Sequence, residues 1–437
     1  MDIKEIYERF KESSGVTTDS RAIKGGEMFV ALRGENFDGN EYAMKALEAG
    51  AKYAVVNESS PVAALDDPRL VRVPDTLLAL KDLARYHREN TFVEGKRLTV
   101  IGLTGTNGKT TTKNLISAVL SGKYVVTATE GNLNNDIGVP LSLLKISPET
   151  QLAVIEMGAN HPDDIKNLVS VCEPDYGLVT NVGKGHLLGF GNFEGVKRAK
   201  GQLYDYVSAH GGKAFLNVDD PVLVEMASER EGLETIPYGV AKVLPSSAAE
   251  PYLRMELPGG EIVKTHLVGK YNSGNVMAAL AVGTYFGVPL SEAVYAVGEY
   301  VPTNNRSQME RTARNVLIED YYNANPSSVK AALDNLSCVE ARRKVVMLGD
   351  MRELGDESVA EHVKILETLA SMDLDGVFLV GGEFGTALDE SGLLPSALRF
   401  ADSEALASYL GENPVCGATI LVKGSRGIMM EKVVPKL

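Results

Sequence analysis

The chain has 437 residues, of which 44% are hydrophobic and 23% charged. That balance excludes a disordered or fibrous protein, and the length excludes a single small module, since about 150 residues make one domain. Its 44 basic residues against 58 acidic ones leave a formal net charge of −14, which excludes a protein whose main task is holding nucleic-acid backbone but allows a local basic pocket for a small anion.

From Met1 to Gly15 the sequence is charged and amphipathic, without the apolar core and cleavage site of a secretory signal. No apolar run long enough to span a bilayer follows. A cytoplasmic protein without membrane insertion is the expectation. Cys172, Cys338 and Cys416 stand too far apart for metal-ligand or CxxC spacing and are expected as buried free thiols.

Residues 1–95 mix short apolar strands (Glu27 to Leu32, Tyr53 to Val56) with helical stretches such as Tyr42 to Ala49, predicting a small α/β domain. At Leu98 to Leu103 the pattern becomes strand, glycine-rich turn, then a helix from Thr110 to Leu120, which opens a second domain, 96–302. Further buried strands are predicted at Leu152 to Glu156 and Tyr176 to Asn181, alternating with helices, which implies a largely parallel sheet covered on both faces. After Val301-Pro302 and the polar stretch Thr303 to Ser307, strands at Asn315 to Asp320, Lys344 to Gly349, Gly376 to Val380 and Thr419 to Val422 alternate with helices at Ser327 to Leu336 and Ser358 to Ala370. They predict a third, doubly wound domain, 303–437.

The strongest chemical signal is Gly105-Thr106-Asn107-Gly108-Lys109-Thr110-Thr111, set between a hydrophobic strand and an amphipathic helix. In that setting backbone N–H groups cradle phosphate, Lys109 reaches the β and γ phosphates, and the Thr110 hydroxyl is placed for Mg²⁺. The first glycine of the usual GxxxxGK pattern is replaced by Leu103. Glu156, closing a strand, and His186, just beyond another, are candidates to hold a divalent cation jointly, although each also fits an ordinary hydrogen-bonded loop residue. Lys200 lies in a helical pattern, Phe193 to Val207, whose buried stripe is Val196, Ala199, Leu203 and Val207; on composition alone it reads as a solvated or snorkelling lysine.

An ordered series of motifs then resembles the Mur ligases over nearly the whole chain: DSR at 19–21, GENFDG at 34–39, TGTNGKTTT at 104–112, GNLNNDIGVP at 131–140, EMGANH at 156–161, Lys200-Gly201, DYYNANP at 320–326, GDMRELG at 349–355 and KGSR at 423–426. The resemblance implies three α/β domains: an N-terminal domain for a UDP-linked substrate, a central P-loop ATPase-like domain and a C-terminal Rossmann-like domain. It implies a cytoplasmic, monomeric, ATP-dependent amide ligase using Mg²⁺, closest to the branch that joins D-alanyl-D-alanine to UDP-N-acetylmuramoyl-tripeptide through an acyl phosphate. The alternatives are a ligase of the same superfamily adding the third peptide residue, a folylpolyglutamate synthase, or a non-catalytic nucleotide-binding protein; the Asp-Asn-Pro-Arg motif usual in the first of these does not occur.

By resemblance, Lys109 binds ATP phosphates, Thr110 and Glu156 hold a first Mg²⁺, and His186 holds a second together with Lys200, which is expected to carry a carbamate. Asn275 is expected at adenine, Arg306 at the γ-phosphate and Asp320 on the ribose side. Ser20, Arg21, Asp38, Asn134, Asn135, Asn160, Asn323 and Asn325 fall at substrate-binding positions. Three residues depart from the family's usual ones: Asn40 and Tyr271, where histidine is common, and Asn305, where glycine normally precedes the arginine.

Overall fold

The computed structural model describes residues 2–239, 241–246, 251–303 and 305–437. Met1, at the head of the amphipathic stretch read above, and Asn304, inside the polar stretch before the third domain, lie outside the described residues. The first sheet has four parallel strands in chain order: β1 (Val16–Thr17), β2 (Met28–Val30), β3 (Tyr53–Asn57) and β4 (Leu70–Val73). Strand β2 is shorter than the predicted Glu27 to Leu32. The predicted helix from Tyr42 begins at Ala43, because a tight turn over Gly39–Tyr42, capped by the Asp38 carboxylate on the Asn40 N–H, precedes it. Helix Thr76–Glu89 starts at an Asp75 cap on the Leu78 N–H and buries Leu80, Leu83 and Ala84 at helical spacing.

A hairpin of β5 (Phe92–Val93) and β6 (Lys96–Arg97) leads into the second sheet. Its strands are β7 (Thr99–Thr104), β8 (Val126–Ala128), β9 (Leu152–Glu156), β10 (Tyr176–Val179), β11 (Lys213–Asn217) and β12 (Glu234–Tyr238), all parallel, in the order β12-β11-β10-β7-β9-β8. Val100, Ile101 and Leu103 of β7 are fully buried between two apolar layers, as a parallel strand covered by helices on both faces requires. The chain leaves β7 for the edge, returns to β9 on one side of it and crosses to β10 on the other. That reversal opens a crevice at the carboxyl end of β7, the place where open α/β sheets bind ligands. A small antiparallel sheet of β13 (Lys242–Val243), β14 (Arg254–Glu256) and β15 (Ile262–Lys264) follows.

The third sheet runs β16-β17-β21-β18-β19-β20, built from β16 (Gln308–Arg311), β17 (Val316–Glu319), β18 (Lys344–Gly349), β19 (Gly376–Val380), β20 (Leu398–Phe400) and β21 (Thr419–Lys423). Only β16 is antiparallel to its neighbour. The four residues 312–315 between β16 and β17 are too few for a parallel crossover, which needs a dozen or so, and suffice for a hairpin. The cysteine expectation is corrected: Cys172 is buried, and its burial pushes the thiol up to about 12, but Cys338 and Cys416 are exposed. Cys338 ends the helix Pro326–Cys338, and Cys416 lies in the loop before β21, so neither faces a core.

Candidate active site

Between β7 and the helix Lys109–Leu120 the chain turns through two glycines in conformations that side chains resist, Gly105 at φ 145° and Gly108 at φ 78°. A Cβ on Gly105 would lie 2.0 Å from Thr180 Oγ1. The end of β10 shapes the loop: Asn181 O accepts from the Thr106 N–H (3.0 Å), Asn181 Oδ1 from the Asn107 N–H (3.0 Å), and Asn107 O accepts from Thr180 Oγ1 (2.7 Å). The loop therefore presents the first turn of a helix, whose N–H groups lack intrahelical partners, to the crevice. Lys109 Nζ donates to Gly105 O (2.8 Å) and Thr106 O (3.1 Å), and burial lowers its pKa against the opposing pull of Glu156.

Glu156, 1% exposed, closes β9 beside this loop. Its Oε1 accepts from Thr110 Oγ1 (3.2 Å) and Asn134 Nδ2 (2.8 Å), while Oε2 is buried with no partner among the described residues. A buried carboxylate oxygen left bare beside a threonine hydroxyl is a site for a hard cation. His186 takes a left-handed conformation (φ 54°), and its Nδ1 bonds the Glu353 carboxylate of the third sheet's loops. Burial lowers its pKa, with Glu353 opposing.

Lys200 is 2% exposed, which overturns the snorkelling reading. Its helix, Phe193–Ala209, turns it inward, where Nζ reaches Ala159 O at 3.4 Å and lies 5.5 Å from the centre of the Phe190 ring. Burial first, and the nearby Lys109 charge second, drive its pKa well below the ordinary lysine value, with Asp164 opposing.

One cavity of about 520 Å³ brings most of these groups together: Thr106 to Lys109, Thr111, Asn134, Glu156, Asn160, His186, Asn275, Arg306, Asp320, Asn323 and Asn325 line it. Asn275 packs against Gly108 and accepts from Thr112 Oγ1 (3.0 Å). The Arg306 guanidinium stacks over Tyr322 at 3.8 Å, and its Nε is buried without a partner among the described residues. Asp320 is ion-paired to Lys423 (2.6 Å). Asn325 caps helix Pro326–Cys338 and donates from Nδ2 to Asn107 Oδ1 (2.8 Å), tying the third sheet's loops to the phosphate loop.

Gly105, Thr110, Lys200, Ser20, Arg21, Asp38 and Asn135 lie outside the cavity lining. Arg21 is exposed and forked onto Asp19, with Ser20 beside it. Asp38 binds Arg33 and Asn40, and Asn135 Oδ1 accepts from the N–H groups of Ile137 and Gly138. The sequence reading gave no role to Lys423, Glu353 or Tyr271. The first two stand inside motifs already quoted, and a lysine closing a buried apolar strand, as Lys423 does, signals a carboxylate partner.

A nucleotide-sized, polar cavity at a P-loop, completed by an arginine and asparagines from a following α/β unit, fits three matches to family models. Residues 12–88 match the Mur ligase family catalytic domain, 103–283 the Mur ligase middle domain and 305–426 the Mur ligase glutamate ligase domain. The chain belongs to the Mur ligase family. It is 35% identical over 441 residues to the UDP-N-acetylmuramoyl-tripeptide--D-alanyl-D-alanine ligase of Escherichia coli K12, covering 97% of this chain and 93% of that one. It superposes on a crystal structure of MurF from Acinetobacter baumannii with a TM-score of 0.86 at 29% identity, over 100% of this chain and 98% of that one. For MurF ligase from Thermotoga maritima in complex with ADP the TM-score is 0.83 at 26% identity, over 98% and 97% of the two chains. In this Mur ligase the departure at Asn40 serves the fold: the buried amide donates to Asp38 Oδ1 (2.6 Å) and Asn57 Oδ1 (3.0 Å), and its own Oδ1 accepts from the Asn57 N–H (2.8 Å).

Proposed function

We propose that this chain is the ATP-dependent ligase that joins D-alanyl-D-alanine to UDP-N-acetylmuramoyl-tripeptide in the synthesis of peptidoglycan precursor, acting as a cytoplasmic monomer with no nucleic-acid partner. The observation that carries it is the shared cavity, in which the phosphate loop and Glu156 of the central sheet meet Arg306, Asn323 and Asn325 of the third. Residues 1–95, 96–302 and 303–437 serve as the UDP-substrate, ATP and ligase domains. Ser20, Arg21, Asp38, Asn134, Asn135 and Asn160 hold the UDP-linked substrate, and Asn323 and Asn325 hold the incoming dipeptide.

A carboxylate is a poor electrophile. Transfer of the γ-phosphoryl group from ATP to the tripeptide carboxylate makes an acyl phosphate and releases ADP; the dipeptide amine then attacks the acyl carbon, phosphate leaves and the amine gives up a proton. The loop N–H groups and Lys109 hold the phosphates in line, and Arg306, which lines the same cavity, meets the γ-phosphate. Asn275 contacts adenine and Asp320 the ribose side.

Thr110 and Glu156 fit a first Mg²⁺, since Glu156 Oε2 is buried without a partner among the described residues and both donors are hard oxygens. His186 and a carbamate on Lys200 would hold a second. When bound, Mg²⁺ supplies charge neutralisation on the transferring phosphoryl group. The site supports the carbamate because the amine is buried, poorly hydrogen-bonded and held toward its neutral, CO₂-reactive form. Incubation with ATP, Mg²⁺ and both substrates, followed by mass spectrometry, tests the reading: a UDP-linked pentapeptide is expected in equal amount to ADP, and ADP without that product would reject it.

A further inference from the structure

The two departures at Tyr271 and Asn305 meet at one point. Arg306 is flanked by two non-glycine residues in the left-handed conformation, Asn305 at φ 55° and Ser307 at φ 52°. Such backbone persists only where its surroundings hold it. Ser307 is 4% exposed and held at each of its polar groups. Its carbonyl accepts from the Val268 N–H (3.2 Å), its N–H donates to Asp320 Oδ1 (3.2 Å), and its Oγ pairs with Tyr271 Oη (2.8 Å). Val268 and Tyr271 belong to the central unit, and Asp320 closes β17 of the third, so Ser307 is the pivot on which both units pull.

Tyr271 also lines the cavity that holds the phosphate loop. Its ring lies flush on Gly269, where a Cβ would come within 2.3 Å of Cε1. The same turn, Lys270–Asn272, opens the helix Ser273–Tyr285, which carries Asn275 against Gly108. A histidine's ring is shorter along this direction than a tyrosine's by the length of the phenol C–O bond and part of the ring, so the bond to Ser307 belongs to the tyrosine found here.

We propose that Tyr271 is a positioning residue for the reaction: its hydroxyl pins Ser307 in the left-handed conformation and thereby aims Arg306 into the phosphate site, coupling the nucleotide seat to the hinge between the central and third units. The proposal rests on the reading of Arg306 as the γ-phosphate contact. The pin acts on the orientation of Arg306 and leaves the phosphate loop, Lys109 and Asn275 in place, so its loss weakens phosphoryl transfer more than nucleotide binding.

The test is a double-mutant cycle of Tyr271→Phe, which keeps the ring, and Ser307→Ala, with Arg306→Ala as the control, using the full chain with ATP and both substrates. Tyr271→Phe is expected to lower kcat roughly tenfold while KM for ATP moves less than about threefold, and the double variant to be no slower than either single one, because all three lose the same bond. Wild-type kcat in a folded Tyr271→Phe enzyme, additive losses in the cycle, or a loss confined to KM would each overturn the pin. An Arg306→Ala enzyme with wild-type kcat would instead remove the reading of Arg306 on which the pin depends, so the two failures are told apart.

Discussion

Lys109 carries a point charge at the mouth of a loop whose backbone N–H groups already face the anion, and its own partners in the structure are two loop carbonyls, Gly105 O and Thr106 O, that a phosphate would replace. Removing it deletes a transition-state charge partner. Lys109→Ala is expected to slow amide formation by about a hundredfold or more, roughly 3 kcal/mol, with the thermal unfolding curve of the folded protein essentially retained. Steady-state rates beside a melting curve check both halves. Lys200 gives the sharper case. A lysine this buried, with one long hydrogen bond and no ion pair among the described residues, carries a positive charge at a cost, and a carbamate turns it into an anionic oxygen ligand. Lys200→Ala is expected to be nearly inactive and to recover part of its rate in acetate, whose carboxylate fits the vacated space; Lys200→Arg, with its fixed charge and bulk, is expected not to recover. Rates measured against acetate concentration decide it, and an active Lys200→Ala enzyme would remove the carbamate. Sequence alone made Lys109 legible, because glycine spacing between a strand and a helix has few other uses. It did not make Lys200 legible without resemblance, because composition favours an exposed lysine even though helical spacing puts it on the face of Val196, Leu203 and Val207, and its surroundings include the loop carrying Ala159 and the ring of Phe190 just before the helix.

At the scale of elements, long apolar strands flanked by helices were readable, and β7, β9, β18 and β19 lie where their hydrophobic runs predict. Several elements escaped, the interior strand β11 among them, and others are short or edge-placed. Strand β16 alternates Gln308, Met309, Glu310 and Arg311 and is half exposed, so its pairing is set by the hairpin to β17 and not by a hydrophobic run. Strands β13 to β15 are two or three residues each, below the length at which period-two alternation is visible. The β16–β17 pair carries its own pH signature. Burial, and then a shared hydrogen bond with Glu310, raise the Glu319 carboxyl from 4.5 to about 7, and its Oε1 is buried without a partner among the described residues. A folded-state pKa above the unfolded one means that the native protein binds more protons between those values, so stability is present at low pH and is lost as pH rises through about 7. Glu319→Gln is expected to gain about 2 kcal/mol over the native sequence near pH 8, with the gain vanishing toward pH 5. Denaturant unfolding at several pH values checks it; an equal effect at both ends of the range would point to packing and away from titration.

Over the whole molecule the candidate catalytic groups come from two sheets whose carboxyl ends face each other. Asn325 meets Asn107 (2.8 Å), Lys184 pairs with Glu361 (2.7 Å), the Leu188 N–H donates to Glu353 O (3.1 Å), and His186 meets the Glu353 side chain. None of these pairs is predictable from spacing, since their partners lie 143 or more residues apart in the chain, as Lys184 N and Ser327 Oγ (3.1 Å) do at the near limit. The sequence carried motifs at both ends of the Asn107–Asn325 contact and at Glu353, whereas Lys184, Leu188, Ser327 and Glu361 stand in no motif and are brought in by the fold. The arrangement explains why sustained turnover should require all components at once: the phosphate loop and Arg306 line one cavity, where the carboxylate that takes the phosphoryl group and the amine that then displaces phosphate have to meet. ADP release is the direct measure, recorded with ATP, Mg²⁺ and UDP-N-acetylmuramoyl-tripeptide while the amine is varied. Rapid ADP release with D-alanyl-D-alanine, and only background release with single amino acids or with no amine, is the predicted result. Equal release with a single amino acid, or release that ignores the UDP-linked peptide, would contradict the assignment.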